Sequence, residues 1–429
     1  MEQINNLVLG AGISGLSCAF HLNKTQQQAT ICEASNDWGG LCGNFSIQGF
    51  RFDKFVHFSF TENEYVKNLF THNLEILVHK PELTNFYYGK WLKHPAQNNL
   101  QSLNFQEKVK IFLSFLTKPH ITPTNYDEWL RVQYGNYFAE HFPMNYTRKY
   151  WGLEAKELET KWVGKRMRPI TIKEMLQGLM HKKQKTLYYA KNMRYPQKGG
   201  FKSFLSVLAQ KTDIRLNKKA VKINPTTKEV FFADGSRITY RNLISTIPLP
   251  EVIKLLPNVP ASVQDAARKL RYTCGYMVSV ALKKSYDFKG NLLFYVYDKE
   301  IPFARVYFPS IKSPDNVPAG ASSLQAEIFF ANDTPVPNKE IILTRTIQGL
   351  LATGIIQEKD ILFTDIRFEP YANVIFDLQI YNNRKIVLDY LKHIQIIPAG
   401  RFGTWEYLWT DQCVLNGKNV AEQITGDNI

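Results

Sequence analysis

The sequence contains few cysteines: five among 429 residues, an odd number. They are scattered, without the short regular spacings that disulfide-rich secreted domains and zinc sites show. This scarcity excludes a disulfide framework as the basis of the fold and gives no sign of a metal site. We expect free, buried thiols in a reducing compartment, at Cys18, Cys32, Cys42, Cys274 and Cys413.

Long hydrophobic runs are also missing. No apolar stretch approaches the roughly 20 residues that cross a bilayer, and the first residues have neither the basic nor the apolar region of a secretory signal. Internal repeats and low-complexity linkers are absent as well. We therefore predict a cytoplasmic protein without a transmembrane segment. Its 44% of hydrophobic residues suffice for the cores of two or three domains.

Acidic residues are too few to balance the basic ones, and the formal net charge is +15. A basic surface can attract nucleic acid, an anionic membrane or an anionic small molecule. The lysines are spread along the chain, with one small cluster at Lys182-Lys183, and no nucleic-acid motif accompanies them. We therefore expect no nucleic-acid partner, and a phosphate-bearing substrate is the more specific interpretation of the charge.

A glycine-rich loop near the start of the chain carries the strongest motif. An apolar run leads into Gly10-Ala11-Gly12-Ile13-Ser14-Gly15, a helical pattern follows, and a second apolar run ends at Glu33. Strand, glycine turn, helix, strand and terminal acid form the dinucleotide-binding fingerprint. Gly10 allows the tight turn, Gly12 lets a pyrophosphate approach the backbone, and Gly15 lets the helix pack closely. Glu33 can accept hydrogen bonds from a ribose.

The residues after Glu33 distinguish between cofactors, because the glycine loop alone suits both NAD and FAD. A Gly39-Gly40 pair and the turn Gly49-Phe50-Arg51-Phe52-Asp53 follow the acid. This combination resembles the flavoprotein superfamily of amine oxidases, protoporphyrinogen oxidases and UDP-galactopyranose mutases. The resemblance implies an FAD cofactor. The implied FAD contacts are Gly10, Gly12, Ser14, Gly15, Glu33, Ala34, Gly40, Leu41, Val221, Arg401, Asp411 and Gln412.

The organisation of the chain predicts an α/β fold. A helical pattern dominates residues 100–189, including a helix from Ile172 to His181, whereas residues 270–370 alternate as strands around one helix near 341–352. A first helical stripe consists of Phe105, Val109, Phe112, Leu113 and Leu116.

With the resemblance, these patterns imply a Rossmann-like FAD-binding domain with an inserted helical domain and an antiparallel β-sheet domain. The predicted FAD-binding domain is discontinuous. It comprises residues 1–60, 190–255 and 395–429. The helical domain comprises 100–189, and the sheet domain comprises 61–99 and 256–394.

Several short motifs are most similar to those of UDP-galactopyranose mutases. Trp162-Val163-Gly164-Lys165-Arg166 matches Trp-x-Gly-x-Arg, and Pro302-Phe303-Ala304-Arg305 matches Pro-Phe-x-Arg. In the mutases these two arginines bind the substrate diphosphate, a role that the guanidinium fork suits. His57 falls where the mutases carry a Gly-Gly-His loop, although other residues replace both glycines. The resemblance implies catalytic roles for His57, Arg166 and Arg305, whereas a core histidine is the alternative for His57.

Further matches concern the substrate. The mutase segment Tyr-Pro-x-Gln-Asn-Asn, which contacts the uracil, corresponds to the stretch from His94 to Asn99, with histidine in place of tyrosine. Taken singly, the aromatic residues that match would also suit core positions. The implied substrate contacts are His94, Gln97, Phe142, Trp151, Tyr295, Tyr371 and Tyr407.

The resemblance implies an isomerase that interconverts the pyranose and furanose forms of a nucleotide-diphosphate sugar, with a UDP-linked sugar as first choice. It implies reduced FAD, no net redox change, and a role in cell-surface polysaccharide biosynthesis, and it allows a homodimer. The alternative is an FAD-dependent oxidase or dehydrogenase of the amine oxidase or protoporphyrinogen oxidase type. A third class is a non-catalytic protein that holds FAD.

Overall fold

The structure, a computed structural model, describes residues 2–164, 166–167, 169–180 and 190–426. Lys165, the predicted helix end at His181 and the Lys182-Lys183 cluster lie outside the described residues, as do the predicted domain ends at 189 and 429. All five cysteines are free and buried, as predicted. Within the described ranges, no helix combines the length and the apolar character that crossing a bilayer requires. The same ranges contain no cluster of three or more acidic, histidine or cysteine side chains suited to a metal ion.

The strands are numbered along the chain. They are β1 Glu2–Leu9, β2 Ala29–Cys32, β3 Asn44–Ile47, β4 Phe50–Asp53, β5 Ile76–His79, β6 Leu83–Tyr87, β7 Lys90–Lys93, β8 Met193–Pro196, β9 Asp213–Arg215, β10 Ala220–Asn224, β11 Glu229–Phe232, β12 Arg237–Ser245, β13 Tyr272–Leu282, β14 Leu293–Val296, β15 Arg305–Tyr307, β16 Ser322–Ala331, β17 Ile361–Val374 and β18 Ile396–Pro398.

The helices are numbered in the same way. They are α1 Ile13–Lys24, α2 Glu64–Thr71, α3 Phe105–Leu116, α4 Tyr126–Tyr134, α5 Asn136–His141, α6 Pro143–Trp151, α7 Ile172–Met180, α8 Ser206–Ala209, α9 Leu249–Lys254, α10 Ala261–Arg268, α11 Pro309–Lys312, α12 Lys339–Ala352, α13 Ile380–His393, α14 Gly400–Gly403 and α15 Thr410–Thr425.

The first sheet is built around β1, in the order β10-β11-β12-β1-β2-β9, with β18 also paired to β12. The pairs that β1 and β2 make are parallel, as is β12 with β18, whereas β10, β11 and β12 form an antiparallel meander. Leu7 and Val8 have no exposed surface, as expected for a parallel strand that is covered on both faces. On one side α1 packs against α15, where a Cβ on Gly417 would lie 2.6 Å from the Ser14 carbonyl oxygen.

The second sheet has the order β17-β13-β16-β15-β14-β6-β7. Neighbouring strands are antiparallel, as predicted, except that β14 pairs with β6 in parallel, with Leu293 opposite Leu83 and Val296 opposite Phe86. These two strands come from distant parts of the chain, so no tight hairpin turn imposes an antiparallel pairing on them. The parallel pair joins residues 83–93 to the strands that follow residue 270.

The helices α3–α7 pack together beside the second sheet, but the apolar stripe predicted on α3 faces outward. Phe105, Leu113 and Leu116 are exposed, whereas Ile111 and Phe115 are buried in the core. The helix has apolar residues on two faces, and periodicity alone does not tell which face packs. The sequence pattern identified the stripe, and the structure shows that Phe105, Leu113 and Leu116 of it face solvent.

Candidate functional site

The three glycines of the fingerprint have the geometry that their roles require. Gly10 has a φ of +101°, and a Cβ there would lie 2.5 Å from the Thr246 hydroxyl oxygen. A Cβ on Gly15 would lie 2.0 Å from the Gly10 carbonyl oxygen, because α1 starts directly against the loop. Gly12 differs, since a Cβ there would meet no atom within 4 Å. This open space beside the start of α1 fits a pyrophosphate that approaches the backbone.

Glu33 lies at the end of β2 beside this loop. Its Oε2 accepts the Ala11 N–H at 2.7 Å, and its backbone carbonyl oxygen accepts the Lys218 N–H at 2.7 Å. The second bond places the segment that leads into β10 beside Glu33 and the exposed Ala34 that follows it. In β10 the register shifts around Val221, which is 47% exposed. The bulge therefore exposes Val221 three residues after the Lys218 bond to Glu33.

Two further segments close around the loop. The Gly39 N–H donates to the Ala11 carbonyl oxygen at 2.8 Å, and a Cβ on Gly40 would lie 3.2 Å from the Gly12 Cα. From the other end of the chain, Gly400 is so close to Ser14 that a Cβ would lie 2.3 Å from the serine hydroxyl oxygen. Glycines thus permit three chain segments to meet at one point, with Leu41 directly beyond them.

Arg401 follows Gly400 and contributes an unsatisfied donor. Its Nε is buried and has no hydrogen-bond partner among the described residues, and its guanidinium carbon lies 4.7 Å from the centre of the Tyr407 ring. Asp411 and Gln412 lie in the first turn of α15, where the helix dipole favours electron-rich groups. The Gln412 side chain already accepts the Trp409 N–H at 2.8 Å. We term Gly10, Gly12, Gly15, Gly40 and Gly400 the glycine cradle. A buried, unpaired donor beside it fits a bound cofactor rich in acceptor atoms.

Arg166 is held in place by aromatic rings and carbonyl groups. It donates to the backbone oxygens of Trp162 at 2.7 Å and Tyr407 at 3.2 Å. Its guanidinium carbon lies 4.0 Å from the centre of the Tyr407 ring and 4.9 Å from the Trp409 ring. These contacts fix the plane of the guanidinium group.

Arg305 lies on β15 and forms an ion pair with the completely buried Glu327 on β16. Its guanidinium carbon lies 5.3 Å from the centre of the Tyr150 ring. Burial alone would lower the pKa of Arg305, but Glu327 reverses that effect, and the pKa is well above the ordinary value. The group is therefore a permanent cation.

Tyr150 and Tyr407 join the two arginines into one site. Burial raises the pKa of Tyr150, and the nearby Tyr407 adds to this rise, whereas Arg305 and Arg401 oppose it. The structure thus brings together the predicted residues Arg166, Arg305, Arg401 and Tyr407. Trp151 belongs to the same group, since its ring centre lies 4.9 Å from that of Tyr150 and 5.9 Å from that of Tyr407.

His57 lies in a half-buried position at the edge of this group. Its ring centre is 5.1 Å from that of Phe201, and burial lowers its pKa to about 4, so the imidazole is neutral at neutral pH. The preceding residue, Val56, donates its N–H to Glu327 at 2.5 Å. The backbone next to His57 is therefore tied to the carboxylate that pairs with Arg305.

The turn before His57 is fixed by a second buried ion pair, between Asp53 and Lys312. Asp53 also accepts the Tyr195 hydroxyl at 2.8 Å and the Phe201 N–H at 3.0 Å. Burial lowers the pKa of Lys312, and Asp53 opposes that shift. The aspartate of the Gly49–Asp53 motif thus holds Phe201, whose ring packs beside His57.

A line of aromatic rings connects the arginines to His94. Successive ring centres are 5.6 Å apart from Tyr150 to Tyr146, 5.5 Å from Tyr146 to Tyr295 and 4.8 Å from Tyr295 to His94. His94 Nδ1 lies 3.1 Å from Asn85 Oδ1, and burial lowers the pKa of His94 to about 3. The half-buried Gln97 follows in the next turn.

Two predicted substrate residues lie elsewhere. Phe142 has no exposed surface, and its ring is stacked between Tyr87 at 4.4 Å and Phe138 at 4.6 Å, so stacking on a base would require one neighbour to move. Tyr371 stacks on Tyr272 at 4.1 Å and donates its hydroxyl to Glu251 at 2.6 Å. The substrate roles of Phe142 and Tyr371 stay predictions that these positions do not support.

Sequence reasoning missed Glu327, Tyr146 and Tyr150. A single acid within the apolar run of β16 was an available signal, because a lone charge in a buried strand needs a partner. Tyr146 and Tyr150 are four residues apart and therefore share one face of α6.

Comparison with known proteins places the chain in a family. The family described as flavin containing amine oxidoreductase matches residues 13–348, more than half of the chain. The protein belongs to this flavoprotein family. A curated relative, all-trans-retinol 13,14-reductase from Danio rerio, is 37% identical over only 57 residues, which are 13% of this chain and 9% of that protein. The similarity to this reductase is therefore confined to a short stretch.

Solved structures confirm the predicted fold class of this family member. The fold is similar to that of reduced UDP-galactopyranose mutase, with a TM-score of 0.92 and 22% identity over 99% of this chain and 96% of that one. A provisionally assigned protoporphyrinogen oxidase from Exiguobacterium sp. 255-15 follows, with a TM-score of 0.75 and 15% identity over 99% of both chains. At such identities the likeness concerns the fold, and the choice among activities depends on the site.

Proposed function

We propose that the protein is a flavin-dependent mutase that interconverts the pyranose and furanose forms of a nucleotide-diphosphate sugar. The observation that carries the proposal is the linkage of Arg166 and Arg305 through the packed rings of Tyr407, Trp151 and Tyr150. Two guanidinium groups at one site suit a diphosphate, which accepts paired hydrogen bonds from each. A cationic amine substrate would be repelled by such a pair.

FAD fits the glycine cradle. Gly10, Gly12, Gly15 and Gly40 would allow the pyrophosphate to approach, and Glu33 would bind the ribose near Ala34 and Val221. Ser14, Leu41, Arg401, Asp411 and Gln412 would lie along the rest of the cofactor. Bound FAD in its reduced form would supply the nucleophile for the anomeric carbon of the sugar.

Arg166 and Arg305 would hold the nucleotide diphosphate while the glycosidic bond breaks. Carbonyl groups and rings fix Arg166, and Glu327 fixes Arg305, so both cations are in position before charge develops. Such preorganised groups stabilise the charge that accumulates on a departing phosphate. The same two groups would keep the diphosphate close for its return to the sugar.

The remaining residues would position the sugar and the base. Trp151 would pack beside the sugar. The hydroxyl groups of Tyr295 and Tyr407 would donate hydrogen bonds to phosphate oxygens. The neutral imidazole of His57 could both donate and accept a hydrogen bond with a sugar hydroxyl or the cofactor. His94 and Gln97, at the far end of the aromatic line, would contact the base, for which we propose uracil.

A reduced-versus-oxidised comparison tests the proposal. UDP-galactopyranose is incubated with dithionite-reduced protein without oxygen, and separately with oxidised protein in air, and products are separated by chromatography and identified by mass spectrometry. A pyranose and its furanose have the same oxidation level, so we expect isomerised product from the reduced protein only, without stoichiometric loss of reductant. The double variant Arg166→Ala/Arg305→Lys should lose the activity, whereas Arg131→Ala in α4 should retain it.

The main alternative is an oxidase or dehydrogenase of the same family. In that case an amine or porphyrinogen substrate would bleach the oxidised flavin, and oxygen would be consumed in proportion to product. Such bleaching, together with no isomerisation by the reduced protein across a panel of nucleotide sugars, would refute the mutase assignment. The proposed role in cell-surface polysaccharide synthesis and the cytoplasmic location depend on the mutase result.

A further inference from the structure

The most conspicuous surface feature is one side of α3, termed the α3 apolar face and consisting of Phe105, Val109, Leu113 and Leu116. These side chains are 80%, 38%, 55% and 48% exposed, respectively. Their spacing of three and four residues places them on the same side of the helix. Single exposed apolar residues are ordinary, but a continuous row of them marks a surface that binds another apolar surface.

The helix that carries this face is firmly built into the protein. Ile111 and Phe115, on its other side, are buried. At its start, Asn104 and Glu107 form a reciprocal capping box, with the Glu107 N–H donating to Asn104 at 2.8 Å. The α3 apolar face is therefore held outward by a fixed helix.

Lysines border the α3 apolar face. At about 100° per residue, Lys108 and Lys110 flank it on opposite sides, and Lys118 follows the end of the helix. The acid in α3, Glu107, forms an ion pair with Lys90 at 2.8 Å. The charged residues of α3 and its end are therefore net positive, as is the whole chain with its net charge of +15.

We propose that the α3 apolar face docks the protein on an anionic lipid surface. Phenylalanine and leucine on one side of a helix with lysines beside them are typical of helices that lie in the plane of a bilayer interface. The apolar side chains would enter the boundary of the acyl chains, and the lysines would meet the anionic headgroups. This inference does not depend on the proposed function.

A second copy of the chain is a less suitable occupant. Pairing the face with itself would bring Lys108 and Lys110 close to the same lysines of the other copy. Moreover, a stable protein interface takes about 20–30 residues from each side, whereas the α3 apolar face offers four large side chains. An anionic bilayer matches both the charge and the shape of a single exposed helix face.

Vesicle flotation with the flavin-loaded protein tests the proposal. We expect the protein to float with vesicles of phosphatidylcholine and phosphatidylglycerol, and to remain behind with phosphatidylcholine alone or at high salt. Phe105→Ser/Leu113→Ser should reduce the floating fraction at least tenfold. Leu362→Ser, at a 52% exposed leucine of β17, is the matched control and should float like the wild type.

Lys108→Glu/Lys110→Glu should abolish the preference for anionic vesicles. If Phe105→Ser/Leu113→Ser fails to fold, this lysine variant alone tests the proposal. Circular dichroism and flavin absorbance verify folding. Two results would overturn the proposal: no flotation of the wild type with either vesicle, or flotation that neither double variant reduces. A wild type that is dimeric by light scattering and becomes monomeric in Phe105→Ser/Leu113→Ser, without any lipid binding, would assign the face to a second copy instead.

Discussion

Glu327 pairs with Arg305 on the neighbouring strand, and its other carboxylate oxygen accepts the N–H of Val56 at 2.5 Å. One buried carboxylate therefore links an arginine predicted to bind diphosphate to the backbone beside His57. A shift of Arg305 would therefore also displace the backbone at Val56, because both groups are bound to the Glu327 carboxylate.

The Glu327 link predicts a large loss of stability when the carboxylate is removed. Glu327→Ala leaves Arg305 as an unpaired buried cation, and breaking such a pair costs roughly 3–5 kcal/mol. We expect urea unfolding to show a decrease of this size in the free energy of unfolding. Glu340→Ala, at an exposed position of α12, is the control and should change it by less than about 0.5 kcal/mol. Equal effects of the two variants would argue against a structural role for the pair.

Binding of UDP should depend on the shape of the group at position 166 as well as on its charge. Arg166→Ala should weaken binding by about 1.5–3 kcal/mol, the range for a hydrogen bond to a charged group. Arg166→Lys should restore only part of the affinity, because an ammonium group lacks the planar fork. Isothermal titration calorimetry measures both changes. Full recovery with lysine would show that only the charge matters, and unchanged affinity in the alanine variant would remove Arg166 from the binding site.

Two glycines of the loop should respond differently to the same substitution. In Gly12→Ala the new Cβ has open space, so the cofactor-free protein should lose less than about 1 kcal/mol of stability, yet flavin binding should fail because the methyl group occupies the space proposed for the pyrophosphate.

In Gly15→Ala the Cβ would collide with the Gly10 carbonyl oxygen, so stability should fall by about 1–3 kcal/mol even without flavin. Urea unfolding of flavin-free protein and absorbance of the purified variants separate the two effects. Normal flavin content in Gly12→Ala would contradict the proposed approach of the cofactor.

Stability should decrease as the pH falls from about 6.5 to 4. The pKa of His57 is lowered to about 4 in the folded protein, against about 6.5 in an unfolded chain. Within that window the unfolded chain binds a proton that the folded protein does not, so acid favours unfolding. His94, with a pKa of about 3, acts in the same direction.

The double variant His57→Gln/His94→Gln should weaken this dependence, measured as the free energy of unfolding by urea at several pH values. Part of it should remain, because burial also lowers the pKa of His21 to about 4. His120→Gln, at an exposed histidine, serves as the control. An unchanged pH slope in the double variant would show that neither histidine is buried in its neutral form.

The cofactor loop could be predicted from the sequence because Gly15 packs against the Gly10 carbonyl only five residues away, and Glu33 reaches Ala11 within one βαβ unit. The partners of Glu327 could not be predicted, since Arg305 and Val56 are 22 and 271 residues away and only the packed sheet brings them together. The role of Phe142 could not be predicted either. An aromatic side chain can stack on a nucleotide base or pack in a core, and only the stacking of Phe142 between Tyr87 and Phe138 shows that it is a core residue. On α3, apolar residues on two faces left the direction of packing undetermined.

The first sheet has a consequence for how the protein is made. Its strands come from the first 32 residues, from 213–245 and from 396–398, and α15 covers the glycine loop from residue 410 onward. A ribosome therefore releases the loop long before the segments that enclose it. The glycine cradle is complete only after α15 has been synthesised. Stable flavin binding should therefore follow translation of this segment rather than accompany it.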